Sequence, residues 1–153
     1  MKNIDHFLLS GTVERGFGRG ASQLGCPTAN LNLDSALIMD SFNNMTDGVY
    51  FGYCALESER VVRPCAASLG TNPTFGASNK KTLEIHILHK YENSFYGVRL
   101  SVALIGMIRE MARFETVQSL LDQIHLDCSL CLSHSIINPP SQSIREFLLS
   151  IHS

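Results

Sequence analysis

Several side chains in this sequence have the types and spacing that chemistry needs. Thr28 and Asn30 stand two residues apart just after Pro27. In an extended segment, side chains at i and i+2 share a face. Oxygen donors of this kind suit Mg²⁺, which keeps several waters and takes one or two protein ligands beside substrate phosphates. Turn formation is the plainer reading of the same residues. Glu84 and His86 alternate with Leu83, Ile85 and Ile87. A carboxylate held on a rigid strand can serve as a general base, although an antiparallel strand also carries polar side chains on a merely solvated face.

Upstream, Gly16-Phe17-Gly18-Arg19-Gly20-Ala21 fits the G-x-G-x-x-A form of a dinucleotide fingerprint. That fingerprint must open a helix, and Gly25 and Pro27 follow too soon for one to form. No G-x-x-x-x-G-K-[ST] run occurs anywhere in the chain. If this stretch holds phosphates, it does so with backbone N–H groups in a concave glycine-rich turn, with Arg19 adding charge; a plain surface turn is the alternative. His125, Cys128, Cys131 and His134 are spaced three apart. On a helix each such step turns back by about 60°, so His125 and His134 face opposite sides and do not share a metal.

The elements that must position these groups are short and mostly extended. Strands are predicted at Phe7–Val13, Gly48–Leu56, Val61–Leu69, Thr82–Leu88 and Leu100–Ile108, the last apolar on both faces and therefore central. Between the first two lies an irregular stretch, Glu14 to Asp47, long enough to expect a function. After Phe114 the pattern becomes helical, with Val117, Leu120, Leu121 and Ile124 at helical spacing and Glu115 near the start. Asn138-Pro139-Pro140 should end that helix, and Ile144 to Ile151 form a short terminal one. A closed barrel would leave no exposed strand edge.

Composition excludes several function classes. The chain has 153 residues, is 44% hydrophobic and 17% charged, and has a formal net charge of −2. This fits one soluble domain and argues against a partner held through a phosphate backbone, so no nucleic acid is expected. The run Phe7-Leu8-Leu9 is too short for a signal core or a membrane span. Five scattered cysteines without such a signal read as reduced thiols in a cytoplasmic protein.

Taken in order, Gly11-x-Val13-x-Arg15-Gly16-Phe17-Gly18-Arg19-Gly20, Leu24-Gly25-x-Pro27-Thr28-Ala29-Asn30, Asp47-Gly48-Val49-Tyr50-Phe51-Gly52, Ser68-Leu69-Gly70-Thr71-Asn72-Pro73 and Leu83-Glu84-Ile85-His86 resemble the riboflavin kinase family, of the monofunctional eukaryotic type. The order and spacing match from about residue 6 to residue 127. The resemblance implies a single domain over 1–153, with 135–153 as a tail. It implies a mainly β fold, a small closed Greek-key β-barrel of about six strands with one main C-terminal α-helix packed outside. It also implies transfer of the γ-phosphate of ATP to the ribityl 5′-hydroxyl of riboflavin, giving FMN and ADP. No adenylyltransferase domain is expected in front, so FMN and not FAD is the expected product.

By the same resemblance the magnesium ligands fall on Thr28 and Asn30, with Zn²⁺ or Mn²⁺ as substitutes for Mg²⁺, and the catalytic base falls on Glu84. The ATP contacts fall on Gly16, Ser22, Ile87, His89 and Tyr96, with Gly18, Arg19 and Gly20 beside them. The flavin contacts fall on Arg109, Ala112 and Phe114. The implied partners are the two small-molecule substrates, with no membrane and a monomeric state. Three positions depart from the family pattern: Ser22 replaces a lysine, Glu110 stands where proline often follows the arginine, and Ala112 replaces a longer polar residue. The competing expectation is a non-catalytic flavin- or nucleotide-binding barrel that kept the pocket and lost transfer.

Overall fold

The computed structural model describes residues 2–14, 28–31, 37–38, 45–72, 80–91 and 95–150. Its elements are β1 (Lys2–Glu14), β2 (Thr28–Leu31), β3 (Leu37–Ile38), β4 (Gly48–Leu56), β5 (Arg63–Asn72), β6 (Lys80–Ile87), β7 (Arg99–Glu110), α1 (Val117–Ile137) and α2 (Gln142–Leu149). The sheet runs β2-β6-β5-β4-β7-β1-β3, and a further β1–β2 pairing closes it. Six antiparallel strands thus form a barrel, with β3 appended to β1. The spatial order β7-β4-β5-β6 is the Greek-key order, three consecutive strands with the fourth returned beside the first.

Alternation along the strands builds two cores. Leu9, Val13, Tyr50, Cys54, Leu69, Leu83, Ile85, Ile87, Leu100 and Val102 point inward and fill the barrel. Phe51, Tyr53, Ala55, Ala66 and Ala103 point outward and pack against Cys131 of α1 and Ile144 and Leu148 of α2. All nine residues of β4 are buried, because one face belongs to each core. The close β4–β7 approach requires glycine: a Cβ on Gly52 would lie 2.1 Å from the Ala103 carbonyl oxygen, and one on Gly48 would lie 2.5 Å from that of Arg109. Lys81 Nζ bonds Asp47 Oδ1 at 2.8 Å and the Met45 carbonyl at 2.8 Å, fixing the entry to β4 against β6.

Helix α1 starts at Thr116, whose hydroxyl accepts the Ser119 N–H at 3.0 Å; Glu115, expected to serve the helix start, lies before the cap. The helix ends at Asn138, as expected from Asn138-Pro139-Pro140, and Ser141 caps α2 by accepting from Ile144 N at 3.3 Å. The Tyr53 hydroxyl donates to the Asn138 carbonyl, and Arg60 Nη2 donates to Leu149 O at 2.6 Å, so both helix ends are tied to β4 and the turn after it. Two helices pack outside the barrel, the main one and a short terminal one, as expected, the latter beginning two residues earlier than Ile144 and ending at Leu149. The strands β2 and β3 fall within the stretch that sequence patterning read as irregular. Four and two residues long, they are too short for alternation to register. Among the described residues no helix is long and apolar enough to cross a membrane.

Candidate functional site

Strand register assembles the site. Asn30 on β2 stands opposite Glu84 on β6, Glu84 opposite Ser68 on β5, Ser68 opposite Val49 on β4, and Val49 opposite Arg109 on β7. Residues directly opposite on antiparallel strands have Cβ atoms about 4.5–5.5 Å apart. The five positions therefore form one row across the outside of the barrel. Thr28 stands opposite His86 in the next row. The expected metal-binding pair and the expected base, distant in sequence, are thus neighbours on one patch of sheet.

A cavity of about 220 Å³ opens on this patch. Val49, Ser68, Glu84 and His86 form its floor, and Arg109, Met111, Ala112 and Phe114 form one wall. Leu120, Ile124, Asp127 and Cys128 of α1 form the roof. All three expected flavin contacts therefore share one chamber with Glu84. From Glu84 to Arg109 the row crosses three strand spacings of about 4.8 Å, roughly 14 Å in all.

The polar groups of this chamber are held by burial and pairing. His86, only 6% exposed, has its Nε2 4.0 Å from Glu84 Oε1. Burial pushes its pKa down to about 4, against an upward pull from Asp127. At neutral pH it is therefore an uncharged imidazole. Arg109 is locked to Asp127, with Nε 3.0 Å from Oδ1 and Nη2 2.9 Å from Oδ2, and its guanidinium carbon lies 5.7 Å from the centre of the Phe114 ring.

The expected ATP contacts lie elsewhere. Gly16, Gly18, Arg19, Gly20 and Ser22 fall outside the described residues. The described strands on either side of them in sequence, β1 and β2, pair with Glu14 opposite Asn30, beside the row. Ile87 points into the barrel core. His89 follows the end of β6, its ring edge-on to Tyr91 at 4.8 Å. Tyr96 is 45% exposed on the turn before β7, and Gly97 beside it bonds Val13 near the end of β1. None of these three lines the chamber. His125, Cys128, Cys131 and His134 all lie on α1, where Cys131 is buried and His134 packs on the Phe51 ring.

Sequence reading did not single out Ser68 or Asp127. Ser68 gave no signal beyond its motif. Asp127 did give one: it falls on the stripe Leu120, Ile124, Asp127, Cys131, a charge where helical spacing calls for an apolar residue.

Comparison with known proteins adds independent findings. A family model described as Riboflavin kinase matches residues 4–134. A riboflavin kinase of Eremothecium gossypii is 32% identical over 164 residues, covering 89% of this chain and 86% of the relative. The human riboflavin kinase is 36% identical over 128 residues, covering 83% and 79%. The crystal structure of riboflavin kinase from Trypanosoma brucei superposes with a TM-score of 0.67 at 30% identity, covering 96% of this chain and 88% of that one.

Proposed function

The chain belongs to the riboflavin kinase family and is an ATP-dependent riboflavin 5′-phosphotransferase that forms FMN and ADP; we propose that Glu84 is its general base and that Thr28 and Asn30 hold the metal ion. The row Asn30–Glu84–Ser68–Val49–Arg109 carries this reading. Its length suits a tricyclic ring with an extended five-carbon arm. With the ring between Arg109, Ala112 and Phe114, the arm points along the row and brings its terminal hydroxyl to Glu84. The carboxylate accepts the hydroxyl proton as the oxygen attacks the γ-phosphorus, and positioning supplies most of the rate.

The Thr28 hydroxyl and the Asn30 amide carbonyl are oxygen donors, which suit Mg²⁺, with Mn²⁺ or Zn²⁺ as substitutes. Bound there, the ion would offset charge on the transferring phosphoryl group. ATP is assigned to the side of the row where β1 and β2 meet, with Gly16, Gly18, Arg19, Gly20, Ser22, Ile87, His89 and Tyr96 as its contacts. Ser22 supplies no cation, so charge compensation falls to Arg19, the metal and backbone N–H groups. The enzyme works as a one-domain monomer in the cytoplasm, on small-molecule substrates.

A non-catalytic flavin-binding barrel is not favoured, since both the oxygen pair and the carboxylate are kept. Incubation with riboflavin and Mg-ATP, followed by chromatography, should yield FMN. Riboflavin binding without FMN would revive the non-catalytic barrel.

A further inference from the structure

We propose that Asp127 is a positioning residue for riboflavin, acting through Arg109. The inference rests on the placement of the flavin ring in the chamber under α1. Asp127 is 3% exposed and is, with Cys131, one of two buried residues of its helix. Burying a carboxylate is costly unless it is paired and hydrogen-bonded. Here it accepts from Arg109 Nε at 3.0 and 3.2 Å, from Arg109 Nη2 at 2.9 Å, and from Gln123 Nε2 at 3.0 Å. Arg109 Nη1 donates to the Glu110 carbonyl at 3.2 Å.

Every guanidinium nitrogen thus makes at least one bond, and the plane of the group is fixed over Phe114. Asp127 also cancels the charge of Arg109. The chamber therefore meets a flat, charge-compensated face, and an uncharged planar ring is the ligand such a face suits. For stability alone, two apolar side chains of similar volume would serve the helix–sheet contact as well. The pair instead links the roof of the chamber to its wall and fixes the surface on which the ring rests.

The test uses Asp127→Asn, Arg109→Lys, Phe114→Ala and the double variant Asp127→Asn/Arg109→Lys in the full chain. KM for each substrate, riboflavin binding by fluorescence quenching, and thermal melting are measured. Asp127→Asn should raise the riboflavin KM and Kd by about tenfold or more, with the ATP KM within about twofold of wild type. In the Arg109→Lys background the same change should add little, because its route runs through the planar fork.

Additive effects, or a loss of melting temperature with both KM values unchanged, would overturn the proposal. Should Asp127→Asn not fold, Arg109→Lys decides the matter. It keeps a cation opposite Asp127, and a wild-type riboflavin KM in that variant overturns the positioning role. A raised riboflavin KM in Phe114→Ala with none in Asp127→Asn rejects Asp127 and leaves the site standing. No change in either variant rejects the flavin placement itself.

Discussion

Glu84 is the position where binding and chemistry separate most cleanly. Its carboxylate can take a proton, and the near-isosteric amide of glutamine cannot. Glu84→Gln should fold, bind both substrates near wild-type affinity and lose about 10²–10⁴ in turnover. Near-wild-type turnover would show that the proton leaves by another route. On the neighbouring strand, Thr28→Ala should weaken Mg-ATP use and leave riboflavin binding intact; unchanged turnover across a magnesium titration would remove the metal assignment. His86 makes a different prediction. Its folded pKa of about 4 lies below the ordinary 6.5, so on acidification the unfolded chain takes up the proton first. The stability from keeping it neutral is complete above about pH 6.5 and is lost as pH falls towards 4, a change of about 3 kcal/mol. Melting curves between pH 7 and pH 4 should therefore fall less steeply for His86→Gln than for wild type. Parallel curves would show that His86 is not the group responsible. Glu59, held below its ordinary value by the Arg63 hydrogen bond, loses its contribution only at lower pH.

At the level of elements, β4 is the strand most exposed to damage, because it serves both cores. Gly52→Ala would drive a methyl into the Ala103 backbone, where no flexible side chain can yield. A loss of about 1–3 kcal/mol is expected, read as a lowered denaturant midpoint. An unchanged midpoint would mean that β4 and β7 can separate. Patterning made these elements legible where a strand has one face in each environment, as in Leu83 to Ile87, or is apolar on both faces, as in Val102 to Ile105. It did not show the extension of β1 back to Lys2 or of β7 on to Glu110, since strand ends lie beyond the alternating core. Nor could it show that His86 is buried. Alternation marks the second face of β6 as polar, and only the later arrival of α1 above it removes the water. The row proposed for catalysis was partly legible: Thr28, Asn30 and Glu84 were singled out from residue type and spacing. That Glu84 stands opposite Asn30, and that Ser68 and Val49 lead from it to Arg109, follows from pairings between distant segments, which local spacing does not encode. Val117 illustrates the limit for helices. It fits the apolar spacing and yet is 69% exposed, because it is the first residue of α1 and the buried residues of that stripe, Asp127 and Cys131, lie more than two turns further along.

Across the whole molecule, the barrel and its outer layer are built to different strengths. The barrel closes on itself through β1, which pairs with both β2 and β7, so its hydrogen bonds have no loose edge from which to unzip. Helix α1 spans 21 residues, of which only Asp127 and Cys131 are buried, while Leu126, Leu132, Ile136 and Ile137 face outward. Among the described residues, the roof of the chamber is therefore a part of the site with few buried side chains holding it down. Its amides should exchange with deuterated solvent through a partial opening that leaves the β4 and β7 amides protected, since weakly packed elements open below the global unfolding free energy. On the proposed flavin placement, riboflavin should slow that exchange in α1 selectively; exchange of helix and barrel at a single common rate, with or without ligand, would show that they open as one unit. If exchange follows that order, riboflavin would enter as one helix lifts, while the strands that carry Asn30 and Glu84 keep their register.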